Sequence, residues 1–269
     1  MWTNSVGTNS IERYLGRVGN RVQKNFEKLS SGRRINRASD DAAALSIAEK
    51  LRSLVSGMEM AVRNVDDGVS LANVAEGAMG SQSAMLTRMR ELSIQSANGT
   101  LGPDERAALN AEFTALRDEL DRVARTTQFN DMSLLEGANI QMQAGATADA
   151  ASTISIGTSA TTADALGLTS LSIDTQAGAQ SSLDSLDSAI QTVSNNRGDV
   201  GAAVNRLYAA RNNLSTAAFN MTASLSRLQD LDVASESAAL ARNSIQMRAA
   251  IAVHRQANDT KGLFVSLLR

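Results

Sequence analysis

The chain has no cysteine, one proline, one histidine, one tryptophan and two tyrosines in 269 residues. Without cysteine there are no disulfides and no thiolate chemistry, so the chain is indifferent to redox compartment. A single histidine, His254, excludes a two-histidine metal site and the HExxH zinc pattern, and it leaves serines and aspartates without an ordinary imidazole base. It reads as a packing or surface residue, and no catalytic residue, cofactor or metal site is expected. Scarce aromatics argue against a bulky sheet core and for helix seams filled by Leu, Ile, Val, Met and Ala. Pro103 alone leaves little to interrupt long helices. No stretch approaches the roughly 20 apolar residues of a membrane span, so membrane insertion is not expected. Met1–Ile11 also lacks the basic start and apolar run of a secretory signal, so any export takes a dedicated route. A net charge of −2 offers no global field to gather nucleic acid, and no nucleic-acid partner is expected.

What is abundant is helical periodicity. Ile11, Leu15, Val18, Val22, Phe26 and Leu29 recur at spacings of three and four and form one stripe, predicting a nearly straight helix over 10–31. Asn9 with Glu12 reads as its N-cap pair and Gly32 as its C-cap. Ser39, Asp40 and Asp41 read as the cap and acidic first turn of a second helix over 40–97, and capping is a more economical reading of the two acids than a metal pair. That helix carries Ile47, Leu51, Leu54, Met58, Val62, Val65 and Val69, then Met85, Leu86, Met89 and Leu92. Unbroken, it would be roughly 85 to 90 Å long. Gly102 and Pro103 open a third helix over 103–126, with Leu109, Phe113, Leu116, Leu120 and Val123 in heptad spacing.

From Gln128 to Asp174 the chain turns to Gly, Ala, Ser and Thr. Alternating pairs, Ile140 with Met142, Ile154 with Ile156 and Leu171 with Ile173, predict short strands, a surface hairpin within about 138–174. Helical spacing then resumes from Leu183 to Leu228, with Arg197 and Arg211 breaking the register and Gly198 and Gly201 weakening the helix. A last segment over 235–258 carries Leu240, Ile245, Met247, Ile251 and Val253 on more than one side, and the chain ends with Leu263, Phe264, Val265, Leu267 and Leu268. A helix with two apolar faces needs more than one neighbour. The expected fold is therefore mainly α, an elongated bundle of long coiled-coil-like helices from the two halves of the chain with a small β-hairpin in the middle.

Four stretches carry a resemblance. Ser30-Ser31-Gly32-Arg33-Arg34-Ile35-Asn36-Arg37-Ala38-Ser39-Asp40-Asp41-Ala42-Ala43-Ala44-Leu45-Ser46-Ile47 resembles the N-terminal signature of bacterial flagellins. Arg90–Thr100 is similar to their second motif. Thr127-Gln128-Phe129-Asn130 with Leu134 and Leu135 is similar to the third, and Gln256-Ala257-Asn258 with Leu267-Leu268-Arg269 to the C-terminus. The resemblance covers about 1–136 and 183–269. Three places depart from it: Ala44 stands where glycine is usual, Arg33 where an apolar residue is common, and Asp259-Thr260-Lys261 replaces a proline-containing turn.

The resemblance implies a structural subunit that polymerises into the flagellar filament and is not an enzyme. It is expected outside the cell in the flagellum, exported without a cleaved signal. An inner-tube domain would comprise 1–44 with 234–269, and an outer-tube domain 45–233. Subunit contacts would come from Ile11, Leu15, Val18, Val22, Phe26, Leu29, Leu240, Ile245, Ile251, Leu263, Leu267 and Leu268, and from Arg34, Asn36 and Asp40 in the connection between helices. Implied partners are other copies or sister flagellins, hook-associated junction and cap proteins, an export chaperone and the type III export apparatus. Arg90, Glu91 and Ile94, with Glu112, resemble the surface recognised by the animal Toll-like receptor for flagellin; from periodicity alone they are a salt-paired helix face. Ser and Thr between 152 and 172 suit either O-glycosylation or a plain surface loop. The main rival is a hook–filament junction protein with the same terminal architecture. A cytoplasmic coiled-coil signalling module would explain the heptads but not the apolar C-terminus. Free monomers are expected to have mobile ends, roughly 1–40 and 235–269, because ordering costs about 1–2 kcal/mol per residue that neighbours must offset.

Overall fold

Helical periodicity places most of the elements. A computed structural model describes the backbone of residues 2–267 and the side chains of residues 9–149 and 151–260. The described residues form helices α1 (Trp2–Ser31), α2 (Ala42–Ser96), α3 (Pro103–Thr126), α4 (Gln176–Gln229) and α5 (Val233–Leu267). Between α3 and α4 lie the short strands β1 (Gln128–Phe129), β2 (Met132–Ser133), β3 (Asn139–Gln143) and β4 (Thr153–Gly157). The chain divides into two compact units, residues 1–53 with 220–269 and residues 54–219, so α2 and α4 each contribute to both.

In the unit of residues 54–219, burial follows a stricter pattern than the large apolar residues alone reveal. On α2 the buried line is Ala61, Val65, Gly68, Ala72, Ala75, Met79, Gln82, Leu86, Met89, Ser93 and Ser96, alternating at four and three. On α4 it is Ala179, Ser182, Leu186, Ala189, Val193, Asn196, Val200, Ala203 and Leu207, with the same alternation. Such spacing keeps one seam facing its partners. The two helices run antiparallel, since Asp66 pairs with Arg211, Glu76 with Arg197 and Arg90 with Asp187. Phe113, Leu120 and Ala124 of α3 complete the core. Arg197 does not interrupt the seam: Asn196 occupies the line, and Arg197 reaches outward to Glu76.

Those two buried amides hold the irregular segment. Gln82 Nε2 donates to Thr161 O at 3.1 Å and Leu120 O at 3.4 Å. Asn196 Nδ2 donates to Ser159 O at 3.1 Å, and its Oδ1 accepts from Ser159 N at 3.4 Å. The hairpin is narrower than its sequence range. β3 and β4 pair antiparallel with Ile140 opposite Ile156 and Met142 opposite Ile154. These four are the residues whose alternation marks strands, and all pack in or against the core. Leu171 and Ile173 are not in a strand; Ile173 is buried in a turn region, its N–H held by Asn110 Oδ1 at 2.9 Å. A smaller ladder joins β1 and β2 through Asn130 and Asp131, both at positive φ, 50° and 63°. This is the twist a two-residue hairpin turn requires.

Two cap assignments are corrected. α1 begins at Trp2, so Asn9 and Glu12 lie inside it, and Arg13 Nε donates to the Asn9 carbonyl at 3.2 Å. Cap-competent residues are plentiful in 3–10, and each helical residue added beyond a nucleus gains a hydrogen bond for a small propensity cost. At α2 the cap is Asp41, whose Oδ1 accepts from Ala44 N at 2.9 Å; Ser39 and Asp40 stay in the preceding turn. Gly32 does end α1, with φ of 67°.

Gln82→Leu keeps the volume but leaves Thr161 O unpaired, and is expected to destabilise the protein by about 1–3 kcal/mol. Leu86→Ala, four residues on, is expected to cost about 2–5 kcal/mol. Urea unfolding monitored by circular dichroism checks both; an unchanged midpoint for Gln82→Leu would mean that the amide clamp contributes nothing.

Candidate assembly surface

The terminal unit is built on the antiparallel pair α1 and α5. The α1 stripe of Ile11, Leu15, Val18, Val22 and Leu29 is covered in part or whole by α5, with Val18 fully buried. On α5 the covered line is Glu236, Leu240, Asn243, Met247, Ala250, His254 and Ala257, again alternating four and three. Buried Asn25 sits at the seam, donating from Nδ2 to Glu236 Oε1 at 2.5 Å and accepting from Asn243 Nδ2 at 2.9 Å. Nothing in the apolar spacing flags this cluster, because a polar residue fills an apolar position. His254 lies on the same covered line, its Nδ1 enclosed without a hydrogen-bond partner.

The signature loop is clamped to the turn between α4 and α5. Arg34 N donates to Gln229 O at 2.7 Å, Leu231 N to Gly32 O at 3.0 Å and Arg34 Nη2 to Leu228 O at 2.8 Å. Buried Gln229 returns a bond to Ile35 O at 3.4 Å and accepts from Arg52 Nη2 at 2.8 Å. Asn36 Nδ2 reaches Glu27 Oε1 at 3.3 Å, and Arg37 pairs with Glu27 at 2.6 Å. Asp40 Oδ2 accepts from the Arg37 and Asn36 N–H groups at 3.2 and 3.3 Å, with Lys24 at 3.8 Å. The Arg37 N–H is the main cause holding the Asp40 carboxyl below its ordinary range, with the Asn36 N–H and the charges of Lys24 and Lys28 adding to it against a desolvation cost. Arg34, Asn36 and Asp40 thus bond within the chain and shape the loop.

The apolar residues without cover lie elsewhere. Phe26 is off the α1 stripe and 58% exposed. On α5 the face opposite the covered line shows Ala234, Ala238, Ala241, Ile245 and Ala252, all exposed, with Ile245 at 66%. Ile251 and Val253 are exposed too, and Val253 borders an open groove of about 390 Å³ lined also by Ser10, Ile11, Tyr14, Gln246, Ala249 and Ala250. Small side chains there permit close approach of another helix. Leu263, Leu267 and Leu268, expected to join this surface, lie outside the residues whose side chains are described.

Charge divides between the units. Residues 1–53 and 220–269 carry 16 Lys and Arg against 9 Asp and Glu, whereas residues 54–219 carry 10 against 19. The near-neutral total therefore conceals two opposed fields. On α1 the basic residues form a stripe, Arg13, Arg17, Arg21, Lys24 and Lys28, all on one arc of the helix.

In the other unit, Arg90 Nε donates to Asp187 Oδ1 at 2.6 Å, which holds the Asp187 carboxyl below and the Arg90 guanidinium above their ordinary ranges. Glu91 and Glu112 are joined through Arg88, which donates to both, at 3.2 and 2.9 Å. Ile94 stands exposed beside them. The four residues share a surface, and Arg88 and Asp187 are members of it that the sequence reading did not include.

The sequence matches the bacterial flagellin N-terminal helical region over residues 3–140 and the bacterial flagellin C-terminal helical region over residues 183–268. It is 40% identical over 262 residues to a flagellin of Halalkalibacterium halodurans, covering 97% of this chain and 96% of that protein. It is 39% identical over 263 residues to the flagellar filament 30.7 kDa core protein of Treponema maltophilum, covering 91% and 92%. The crystal structure of Bacillus cereus flagellin aligns with a TM-score of 0.52 and 33% identity, covering 61% of this chain and 94% of that chain.

A carboxyl held below its ordinary range binds protons less readily in the folded state. Its stabilisation is full above about pH 4, the unfolded value, and is lost as pH falls through the folded value. Asp40→Asn is therefore expected to lower the melting temperature at pH 7, with the gap to the parent closing as pH falls below about 4. Parallel melting curves across that range would contradict the assignment.

Proposed function

This chain belongs to the bacterial flagellin family and is a structural subunit of the flagellar filament, and we propose that it enters the filament by laying the exposed faces of α1 and α5 against other copies. The observation that carries this is α5 itself, which leaves Ile245, Ile251 and Val253 uncovered, with exposed alanines and the cations Arg242, Arg248 and Arg255 on the side away from α1. Covering such surface returns about 25 cal/mol per Å². Exposed apolar side chains grouped on one helix mark an interaction site. In this reading residues 1–44 and 234–269 form the inner layer and 45–233 the outer one. The contact set comprises Phe26, Ile245 and Ile251, the uncovered edges of Ile11, Leu15, Val22, Leu29 and Leu240, and Leu263, Leu267 and Leu268. Arg34, Asn36 and Asp40 complete that set from the loop, while Val18, covered by its own chain, supports the surface from within.

A hook–filament junction protein is the less supported alternative, because a filament core protein and a flagellin match at 39–40% identity over more than nine-tenths of the chain. Flagellins are structural proteins, and the proposed role includes no catalytic step. A filament subunit works outside the cell, and among the described residues no helix is long and apolar enough to cross a membrane. We extend the proposal to the partners such a subunit requires: an export chaperone, the type III export apparatus, and junction and cap proteins. The surface of Arg90, Glu91, Ile94 and Glu112 is proposed to engage the animal Toll-like receptor for flagellin, with Ile94 as its apolar centre and the charges around it as a polar rim.

Ile245→Asp puts a charge on a surface that is solvated in the monomer and buried in the polymer. The variant is expected to melt like the parent and to form no filaments on seeding, as seen by electron microscopy. Filaments at the parent's yield would remove α5 from the contact surface. For the receptor, Arg90→Ala monomer is expected to activate receptor-bearing cells about tenfold more weakly than the parent; a silent parent, or an identical variant, would end that proposal.

A further inference from the structure

Asn98 and Gly99 form the sequence's only Asn-Gly step, and they lie in the loop between α2 and α3. Asn98, Gly99 and Thr100 are all exposed. We infer that Asn98 is a self-modifying site, converted in water to aspartate and isoaspartate through attack by the backbone nitrogen of Gly99.

Three features of the loop favour the step. Among the described residues the Gly99 N–H donates to no acceptor, so no hydrogen bond has to break before its nitrogen attacks. Thr100 N donates to Asn98 Oδ1 at 3.2 Å, which polarises the carboxamide and stabilises the negative charge that develops on that oxygen. Gly99 has no side chain to shield its nitrogen, and a Cβ built there meets only Gln176 Nε2 at 3.7 Å, an ordinary contact. The glycine is therefore not demanded by packing, and Gly99→Ala is expected to fold.

The chemistry needs only water. Gly99 N loses its proton to hydroxide and bonds to Asn98 Cγ, and the Cγ–Nδ2 bond breaks. Nδ2 takes up a proton and leaves as ammonia, closing a five-membered succinimide. Water then opens either carbonyl. One opening gives aspartate at 98, and the other gives isoaspartate, with the chain running through the former side chain.

Both products disturb the loop. A new carboxylate at the C-terminal end of α2 faces the negative end of the helix dipole. Isoaspartate also inserts one extra backbone atom and moves the Asn98 carbonyl. That carbonyl now accepts from Arg106 Nη2 at 2.9 Å and from Leu101 N at 3.3 Å, and Arg106 Nε holds Ser96 O at 2.9 Å. Losing this clamp loosens the start of α3.

The test is a timed incubation of the full chain at mildly alkaline pH, followed by tryptic mapping. The peptide Glu91–Arg106 contains Asn98 as its only asparagine. A synthetic peptide of that sequence, incubated alongside, serves as the clock. The inference expects the folded chain to gain the mass of an NH₂-to-OH exchange in this peptide, with isoaspartate as the larger product, at a rate within about tenfold of the free peptide. Gly99→Ala is expected to slow the gain by about tenfold or more. A folded chain more than tenfold slower than the peptide, or a Gly99→Ala variant as fast as the parent, overturns it.

Discussion

The alternation of buried positions at four and three along α2 and α4 is the constraint on which the larger unit depends. It turns two long helices into a continuous seam against which α3 and the strands pack. Leu86, Met89, Leu92, Leu186 and Leu207 supply the burial, each worth about 1.5–3 kcal/mol. The alanines and Gly68 supply proximity: a Cβ at Gly68 would stand 3.1 Å from Met142 Cγ. Gln82 and Asn196 break the apolar line, and polar residues at such positions fix register at some expense of stability. Here they also hold the 158–161 segment, which has no secondary structure of its own to satisfy its backbone groups.

The terminal unit solves a different problem. Of the large apolar residues in α1 whose side chains are described, only Val18 is fully buried, and the polar cluster of Asn25, Glu236 and Asn243 takes part of the seam. A pair so thinly packed gains modestly from folding alone and has apolar surface left for neighbours. Joining such units side by side brings basic surfaces together, since 16 cationic residues oppose 9 anionic ones there. Counterions screen such like charges over about a Debye length.

The two loops that resemble family motifs show how short segments earn their place. Residues 32–41 exchange backbone bonds with the 228–231 turn, so two connections distant in sequence become one structure. The 97–102 connection is tied by Arg106 to the end of α2 and by Gln176 to the carbonyl of Ala97. In both cases arginine and glutamine side chains satisfy carbonyls that would otherwise be left over at helix ends.

Element type and order were determined by the sequence, because period and punctuation are local properties: α3 lies at the expected 103–126, and the Ile140–Met142 and Ile154–Ile156 pairs do form the hairpin. The resemblance carried by residues 30–47 and 90–100 likewise required no coordinates. Tertiary structure alone decided which residues occupy the seams. Ala72, Ala75, Gln82, Ser93 and Asn196 are buried by their position in a line, and hydrophobicity does not mark them. It alone decided that Asp41 rather than Ser39 caps α2, a choice among three neighbouring residues all able to cap. It also separated Val18, covered by its own chain, from Phe26 and Ile245, which are not. Burial is a relation between elements, and a pattern read along one helix cannot say which side its partner takes.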